Sequence, residues 1–323
     1  MTSSQNSSLW QVEDARPEHD PQVRKLFNEV FKQPMSEANW QWKYGENRGV
    51  GVVVNHGDEP IAYFGGTERR VVFNGEYLVA VQCGDSMVAE AHRGTLSKKG
   101  PFYLSVTSFL GQYVGFGLPY LLSYGFPNAR AMRLAERLGM YDEIGNLLDV
   151  VWKAENDPAY ASASLDFESA RHQQLISSLW EEMASEFVDR AIGVRDAEYL
   201  KYRYHDHPEL DYNLNIVSLA SSNSPVGLIV TRKVEDRLLL VDVLAAKKDI
   251  RHLVQFGKNL AVELNCGEMY GWLTEVDSDL VADTSVIISE TPLRLPLGVY
   301  SDGLTADDVR DKWFFMCGDS DFL

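Results

Sequence analysis

Apolar residues recur at helical spacing near the start of the chain. In the segment HDPQVRKLFNEVFKQ, Val23, Leu26 and Val30 share one face of a helix with 3.6 residues per turn, which predicts an amphipathic helix. The run LWQVEDA before it predicts a first strand. The segment MSEANWQWKYG predicts a second, shorter helix, because Ser36 is a preferred N-terminal cap and Gly45 a common stop.

The pattern changes to extended apolar runs after the second helix. VGVVVN, PIAYFGGTERRVVF and YLVAVQCGDSMVA predict a β-meander, and Asn74-Gly75 between the second and third runs favours a tight hairpin. A loop follows, and then PFYLSVTSFLGQYV predicts a helix with Pro101 at its first position. The strand LPYLLSYGF, the amphipathic helix PNARAMRLAERLGM and a closing strand or strand pair in YDEIGNLLDVVWKA complete this half of the chain.

The second half repeats the order of elements without repeating the sequence. A helical segment and a short helix precede a second meander, which is followed by the helix DIRHLVQFGKNLAVEL and the strand EMYGWLT. The small, polar segment 155–164 contains a proline and is typical of an interdomain linker. We therefore expect an α/β fold with two domains, residues 1–154 and 165–323, each with a mixed, mostly antiparallel twisted sheet flanked by helices.

Length and charge narrow the class of protein. A chain of 323 residues is long for a single core and suits two domains. The formal net charge is −17, which disfavours nucleic acid and anionic membranes as partners because both require a basic surface. An acidic surface would attract a cationic substrate such as an amine, although the same acidity also serves solubility alone.

Neither the cysteines nor the N-terminal segment indicates export. Cys83, Cys266 and Cys317 are odd in number and lack a Cys-x-x-Cys spacing, which predicts free thiols in a reducing compartment. No signal peptide is visible, and no apolar run reaches the ~20 residues of a membrane helix. We expect a cytoplasmic protein without a metal, because His205-Asp206-His207 lacks a third ligand at a suitable spacing and predicts a loop.

The segment AHRGTLSKKGPFYL concentrates positive charge in an acidic chain. It joins a strand to a helix, and the free N–H groups and dipole at a helix N-terminus attract anions. Gly94 and Gly100 would let the backbone approach phosphate oxygens, and Arg93, Lys98 and Lys99 add positive charge. We interpret the segment as a phosphate or pyrophosphate cradle; the alternative is a solvated basic turn.

These residues resemble the GCN5-related N-acetyltransferases (GNAT), in which a Q/R-x-x-G-x-G/A motif between the fourth strand and the third helix holds the pyrophosphate of acetyl-CoA. GDSMVAEAHRG matches the strand and the first half of that motif. YGFPNARAMRLAERLGM resembles the next block, with Asn128 at the start of its helix and Leu138-Gly139-Met140 at the end. The final WFFMCGDSDFL resembles the ends of two-domain members. The resemblance covers residues 8–154 and implies acetyl-CoA as the cofactor.

The resemblance also implies which residues hold the cofactor and where the chain departs from the family. The cofactor-binding residues would be Met87, Val88, Arg93, Gly94, Thr95, Lys98, Lys99, Gly100, Pro101, Phe102 and Asn128. Ala91 stands where Gln or Arg is usual, and Leu96 stands at the second small position unless Gly100 serves there. Ala135 stands where the family often has a tyrosine that acts as general acid.

Acetyl transfer requires a neutral amine, a polarised thioester and a proton for the leaving thiolate. Asp85 and Glu90 lie on or just past the fourth strand and are candidate bases, while Tyr124 and Tyr141 are candidate acids. Each has a structural alternative: a surface or paired carboxylate, or a buried aromatic ring whose hydroxyl is satisfied. Asn128 can likewise act as a helix cap.

The predicted activity is acetyl-CoA-dependent N-acetyl transfer to a primary amine of a small molecule, such as an amino sugar, an aminoglycoside-like amine or a polyamine. The acceptor would lie near Trp40, Asp85 and Tyr124, although core packing is an equal interpretation of Trp40. The second half has VDVLAAKKDIRHL in place of the cradle and no glycine there, so we expect it to bind no cofactor. Two alternatives stay open: a GNAT-fold protein that binds CoA or regulates without turnover, and a Fem-like aminoacyltransferase, against which the acidity counts.

Overall fold

The chain forms two compact units in the computed structural model, which describes residues 10–94, 97–283 and 285–321. The first unit contains the described residues of Met1–Arg69, Val79–Asp142 and Pro296–Ala306, and the second contains those of Arg70–Leu78, Glu143–Leu295 and Asp307–Leu323. None of the helices in these described stretches has the length and apolar character that spanning a membrane requires.

The described residues form strands and helices with the following bounds. The strands are β1 (Gln11–Asp14), β2 (Gly49–His56), β3 (Glu59–Phe73), β4 (Glu76–Val88), β5 (Leu122–Tyr124), β6 (Tyr141–Glu143), β7 (Leu147–Lys153), β8 (Tyr160–Ser164), β9 (Ala191–Gly193), β10 (Asn213–Leu219), β11 (Pro225–Val234), β12 (Arg237–Leu244), β13 (Glu268–Thr274), β14 (Ile287–Glu290), β15 (Pro296–Gly298) and β16 (Trp313–Phe314). The helices are α1 (Asp20–Phe31), α2 (Glu37–Tyr44), α3 (Pro101–Tyr113), α4 (Ala129–Arg137), α5 (Ala170–Glu186), α6 (Ala197–Leu200), α7 (Ile250–Glu263) and α8 (Ala306–Val309).

Strands β1 to β5 lie side by side in chain order in the first unit. The pairs β1/β2 and β2/β3 are antiparallel, and β4/β5 is parallel. Consecutive residues of a strand point to opposite faces, and the core divides accordingly. Val53 and Tyr63 pack with α1 and α2, whereas Val52 and Phe64 pack with α3 and α4. The predicted fold class, a mixed and mostly antiparallel sheet flanked by helices, is confirmed.

The local signals of the sequence act as expected in this part of the chain. Ser36 caps α2 by accepting a 3.0 Å hydrogen bond from the backbone N–H of Asn39, and Pro101 opens α3. Asn74 and Gly75 have φ angles of 50° and 80°, the left-handed conformation that both central residues of a type I′ hairpin turn require. The predicted cap, helix start and hairpin are confirmed.

The second unit contains a sheet in the order β14-β7-β13-β12-β11-β10-β8. Strands β12 and β13 are parallel, and the other neighbours are antiparallel. The predicted closing strand of the first half contributes β7 to this sheet, and the predicted linker 155–164 ends in β8, which pairs with β10. The two compact units therefore divide the chain at other residues, and the functional division into domains 1–154 and 165–323 stays a prediction.

Arg195 is fully buried in the second unit and fixes the C-terminal segment there. Its Nε donates to Oδ1 of Asp242 at 2.8 Å, its Nη2 to Oδ2 of Asp319 at 2.7 Å, and its Nη1 to the carbonyl oxygen of Gly193 at 2.8 Å. A buried charge without a partner is strongly destabilising. The guanidinium of Arg195 therefore has to keep its three acceptors, and through them it joins Asp242 and Gly193 to Asp319 near the C-terminus.

His207 accepts backbone hydrogen bonds within a loop. Its Nδ1 accepts hydrogen bonds from the backbone N–H groups of Glu209 at 3.2 Å and Leu210 at 3.1 Å. The described residues include no group of three or more His, Cys, Asp or Glu side chains suited to a metal. Burial, reinforced by Arg203 and Arg232, lowers the pKa of His207 to about 4, which agrees with a neutral ring that accepts at Nδ1.

We expect Gly75→Ala to destabilise the protein by about 1–2 kcal/mol, because alanine is disfavoured at positive φ. The matched control is Gly267→Ala, at a glycine without positive φ where an added Cβ meets no atom within 4 Å. Urea unfolding measures both. Equal effects of the two substitutions would contradict the hairpin assignment.

We expect the free energy of unfolding to fall as the pH drops from about 6.5 to about 4, because the folded state keeps His207 neutral while the unfolded chain binds the proton. The stabilisation is present above the pKa of the histidine in the unfolded chain. It is lost as the pH falls toward and through the pKa of His207 in the folded state. Urea unfolding of the wild type and His207→Asn across this window measures the effect. A decline as steep in the variant as in the wild type would contradict the role given to His207.

Candidate active site

Strands β4 and β5 pair over only three residues, and β4 continues after β5 has ended. Their parallel register joins Ala80 to Leu122 and Gln82 to Tyr124, and β4 continues to Val88 beyond the last pair. Gly125 follows directly, and a Cβ there would lie 2.9 Å from the carbonyl oxygen of Cys83, so only glycine fits beside the strand. The early end of β5 leaves the last part of β4 with a backbone edge that β5 does not cover.

Asp85 lies on this last part of β4 and carries a buried charge. Its φ angle is 51°, in the left-handed region that aspartate tolerates better than most residues but that interrupts a regular strand. Oδ2 accepts hydrogen bonds from Nζ of Lys43 and from Oη of Tyr44, both at 2.6 Å. The side chains of Asp85 and Lys43 are only 9% and 5% exposed, so water screens the ion pair weakly. Backbone strain and buried charge at one residue are characteristic of a functional site.

Glycines in β2 and β3 create the space around this ion pair. A Cβ at Gly51 or at Gly65 would lie 2.5 Å from Oη of Tyr63, and one at Gly49 would collide with the ring of Tyr44. Both tyrosine rings therefore lie directly over the sheet. Burial, together with the charge of Asp85, raises the pKa of Tyr63 well above its usual range, so the phenol stays protonated.

The loop between β4 and α3 carries the positive charge that the cradle interpretation requires. Only some of its backbone N–H groups, however, are available to an anion. The backbone N–H of Gly100 donates to the carbonyl oxygen of Ser97 at 2.9 Å, so this amide already has an acceptor. Pro101 has no N–H, and the first helical amide is that of Phe102. Among the described residues no side chain caps α3, and an anion at this helix would meet amides of its first turn.

The basic residues of this loop lie at its surface. Nε of Arg93 donates to the carbonyl oxygen of Val88 at 2.8 Å, which bends the side chain back over the end of β4. Lys98 and Lys99 are exposed, and a Cβ at Gly94 would meet open space. The cofactor-binding residues of this loop stay predictions; Thr95 lies outside the described residues.

Other predicted site residues lie on different faces. Met87 is buried with α1 and α2, on the face that carries the Asp85 side chain. Tyr141 belongs to the opposite core with α3 and α4, close to Cys83. Burial raises the pKa of Tyr141 well above its usual range and that of Cys83 to about 12. Tyr124, at the end of β5, is also buried.

Glu90 is exposed in the short 3-10 turn that follows β4, and Asn128 caps α4 by accepting from the backbone N–H groups of Arg130 and Ala131. A cavity of about 530 Å³ lies between α1, the β2–β3 turn and this 3-10 turn. Its lining residues are Gln22, Lys25, Leu26, Glu29, Asp58, Glu59, Pro60, Ile61, Ala89, Ala91 and His92.

Lys43 is the site residue that sequence reasoning missed. It follows Trp42 in a helix with several aromatic residues, where a lysine is normally an exposed residue. Trp40, which was expected near the acceptor or in the core, is 2% exposed and packs in the core with α1. The available signal was the spacing of Gly49, Gly51 and Gly65, since glycine inside a strand often marks a close approach by another group.

No family model and no curated protein matches this sequence. Several solved structures share the fold. A probable N-acyltransferase from Enterococcus faecalis V583 has a TM-score of 0.67 at 12% identity, covering 89% of this chain and 71% of its own. A GCN5-related N-acetyltransferase from Anabaena variabilis ATCC 29413 has a TM-score of 0.63 at 12% identity, covering 90% and 73%. Saccharomyces cerevisiae N-myristoyltransferase with bound myristoyl-CoA has a TM-score of 0.54 at 10% identity, covering 90% and 83%.

These likenesses establish the fold. The chain has the fold of the GCN5-related N-acetyltransferases, and the fold that the sequence resemblance implied is confirmed. At identities of 10–12%, the substrates of those proteins carry no weight for this chain.

We expect Lys43→Met to destabilise the protein by about 3 kcal/mol, because it leaves the carboxylate of Asp85 buried without its cation. The matched control is Lys25→Met, whose lysine is 69% exposed and forms a surface pair with Glu29, and which should change stability by at most ~0.5 kcal/mol. Urea unfolding of the three proteins measures the difference. Two substitutions of equal effect would argue against a buried ion pair.

Proposed function

We propose that this protein is an acyl-CoA-dependent N-acyltransferase that transfers an acetyl group from acetyl-CoA to a primary amine of a small molecule. The observation that carries the proposal is a buried, strained carboxylate, Asp85, on the part of β4 that β5 leaves uncovered. A thioester lying in that opening would meet both backbone donors and a carboxylate on one strand.

The β4–α3 loop would bind the cofactor through its pyrophosphate. Phe102 offers an amide in the first turn of α3, Gly94 leaves the loop accessible, and Arg93, Lys98 and Lys99 supply positive charge at the surface. The backbone of Met87 and Val88 would polarise the thioester carbonyl. Asn128 would contribute indirectly, by fixing the start of α4.

Asp85 would hold the acceptor amine and accept its proton, with Glu90 as the alternative base. Lys43 and Tyr44 both donate to Oδ2, so an incoming amine would address the other oxygen or displace one of these donors. Tyr141 or Tyr124 would protonate the thiolate. Burial raises the pKa of Tyr141 well above its usual range, so its phenol is protonated but is a weaker acid than an exposed tyrosine.

The second unit would bind no cofactor. In the turn between β12 and α7, the backbone N–H of Lys247 donates to Oε2 of Glu186 at 2.5 Å. The Nζ of Lys247 lies 4.2 Å from the centre of the Phe187 ring. A carboxylate of the protein thus already occupies a backbone donor of this turn, and its negative charge opposes a pyrophosphate.

A second candidate function is binding of acetyl-CoA without turnover. Ala135 is buried in the core with α3 and α4 and provides no acid at the position where the family often has tyrosine. The charge on Asp85 is also already paired with Lys43. Turnover with an amine decides between the two functions.

We expect acetyl-CoA to bind, and Arg93→Ala and Lys98→Ala each to weaken binding ~10-fold, since a charged hydrogen bond contributes about 1.5 kcal/mol. Isothermal titration calorimetry measures the affinity, with Lys25→Ala as the control that should leave it unchanged. Absence of saturable binding to the wild type would overturn the proposal.

Release of the CoA thiol over a panel of amino sugars, aminoglycosides and polyamines then tests catalysis. Burial raises the pKa of both Cys83 and Cys317, so these protein thiols should contribute little background to a thiol reagent. Binding without release of thiol on any amine would favour the second candidate function.

A further inference from the structure

We propose that Lys43 is itself an acyl acceptor, so that the protein acylates its own α2 helix. The inference rests on the proposed function, because it requires an acyl-CoA bound in the opening beside β4. It adds a modification site that the transfer to an external amine does not require.

Lys43 presents a primary amine at the candidate base. Its Nζ lies 2.6 Å from Oδ2 of Asp85, and its side chain is 5% exposed. An external acceptor would have to bring its amine to this same carboxylate. Lys25, on α1 of the same unit, is 69% exposed and pairs with Glu29 at the surface. If closeness to the base decides the rate of acylation, Lys43 should react faster than Lys25. If exposure to solvent decides it, Lys25 should react faster.

A purely structural role for the ion pair explains this arrangement less well than a role of Lys43 as acceptor. A buried pair contributes little net stability compared with apolar residues of similar size. Here it also coincides with a left-handed residue inside a strand, and Tyr44 donates to the same carboxylate oxygen as the lysine. The left-handed backbone at Asp85 and its buried ion pair each cost free energy, and such costs concentrate at functional sites.

The reaction is balanced without any further reagent. Nζ attacks the thioester carbonyl, a C–N bond forms and the C–S bond breaks. One proton of the ammonium passes through the carboxylate of Asp85 to solvent, and a second protonates the leaving thiolate. The products are an amide on Lys43, free CoA thiol and one proton.

Acylation of Lys43 would also change the site. The amide nitrogen carries no charge, so the buried carboxylate of Asp85 would lose its cation. The modified protein should therefore melt at a lower temperature than the unmodified protein, whereas acylation of exposed Lys25 should leave the melting temperature unchanged.

The test uses the full-length wild-type protein with acetyl-CoA that carries an isotopic label in its acetyl group. Peptide mapping by mass spectrometry follows the label on each lysine over time. We expect Lys43 to be labelled at least ~10-fold faster than Lys25, because a bound donor raises the effective concentration at the nearby amine. With acetyl phosphate, a donor without CoA, exposure should decide instead, and Lys25 should be labelled faster.

Two variants sharpen the result. Lys25→Arg should leave the labelling of Lys43 unchanged. Asp85→Asn should abolish the preference for Lys43, with circular dichroism to verify its fold; if this variant does not fold, the wild-type comparison of the two donors decides alone.

The outcomes separate the inference from the proposed function. Saturable acetyl-CoA binding with an unlabelled Lys43, or labelling of Lys43 as fast with acetyl phosphate as with acetyl-CoA, overturns the inference and leaves the proposed function intact. No binding of acetyl-CoA overturns both. Fast labelling of Lys43 by acetyl-CoA alone supports the inference.

Discussion

The charge on Asp85 organises one face of the first unit. A carboxylate removed from water needs a cation and hydrogen-bond donors close by, and α2 supplies Lys43 and Tyr44 one after the other in the chain. Tyr44 of this helix can approach the sheet closely because Gly49 and Gly65 have no side chains. The packing of α2, the glycines of β2 and β3 and the strained backbone of β4 are therefore one arrangement around a single charge.

The early end of β5 matters for the proposed function. Where a neighbouring strand ends, backbone groups on the edge of the longer strand can meet a ligand without loss of a sheet hydrogen bond. The loop that follows β4 adds positive charge and leads into α3, so a carboxylate, an uncovered strand edge and a helix start follow one another along the chain. The proposed acyl transfer depends on this order.

The turns between a strand and a helix differ in the two units. Both place lysines in the segment between a strand and a helix, but the turn of the first unit contains glycines, whereas that of the second binds the carboxylate of Glu186. The internal carboxylate satisfies the backbone donor and repels phosphate. The prediction that the second half binds no cofactor rested on a missing glycine, and the position of Glu186 adds an electrostatic argument for it.

The sequence alone determined the local elements and the fold class, because caps, turns and periodicity act between residues that are close in the chain. Ser36, Asn74-Gly75 and Pro101 each had the predicted role, and the GNAT resemblance identified the fold. Only the tertiary structure decided that Lys43 faces Asp85 and that β7 pairs with β13. These contacts join residues far apart in the chain, and they depend on how a whole sheet assembles. The partner of a lysine in an aromatic helix, or of an apolar strand, cannot be inferred from its neighbours in the sequence.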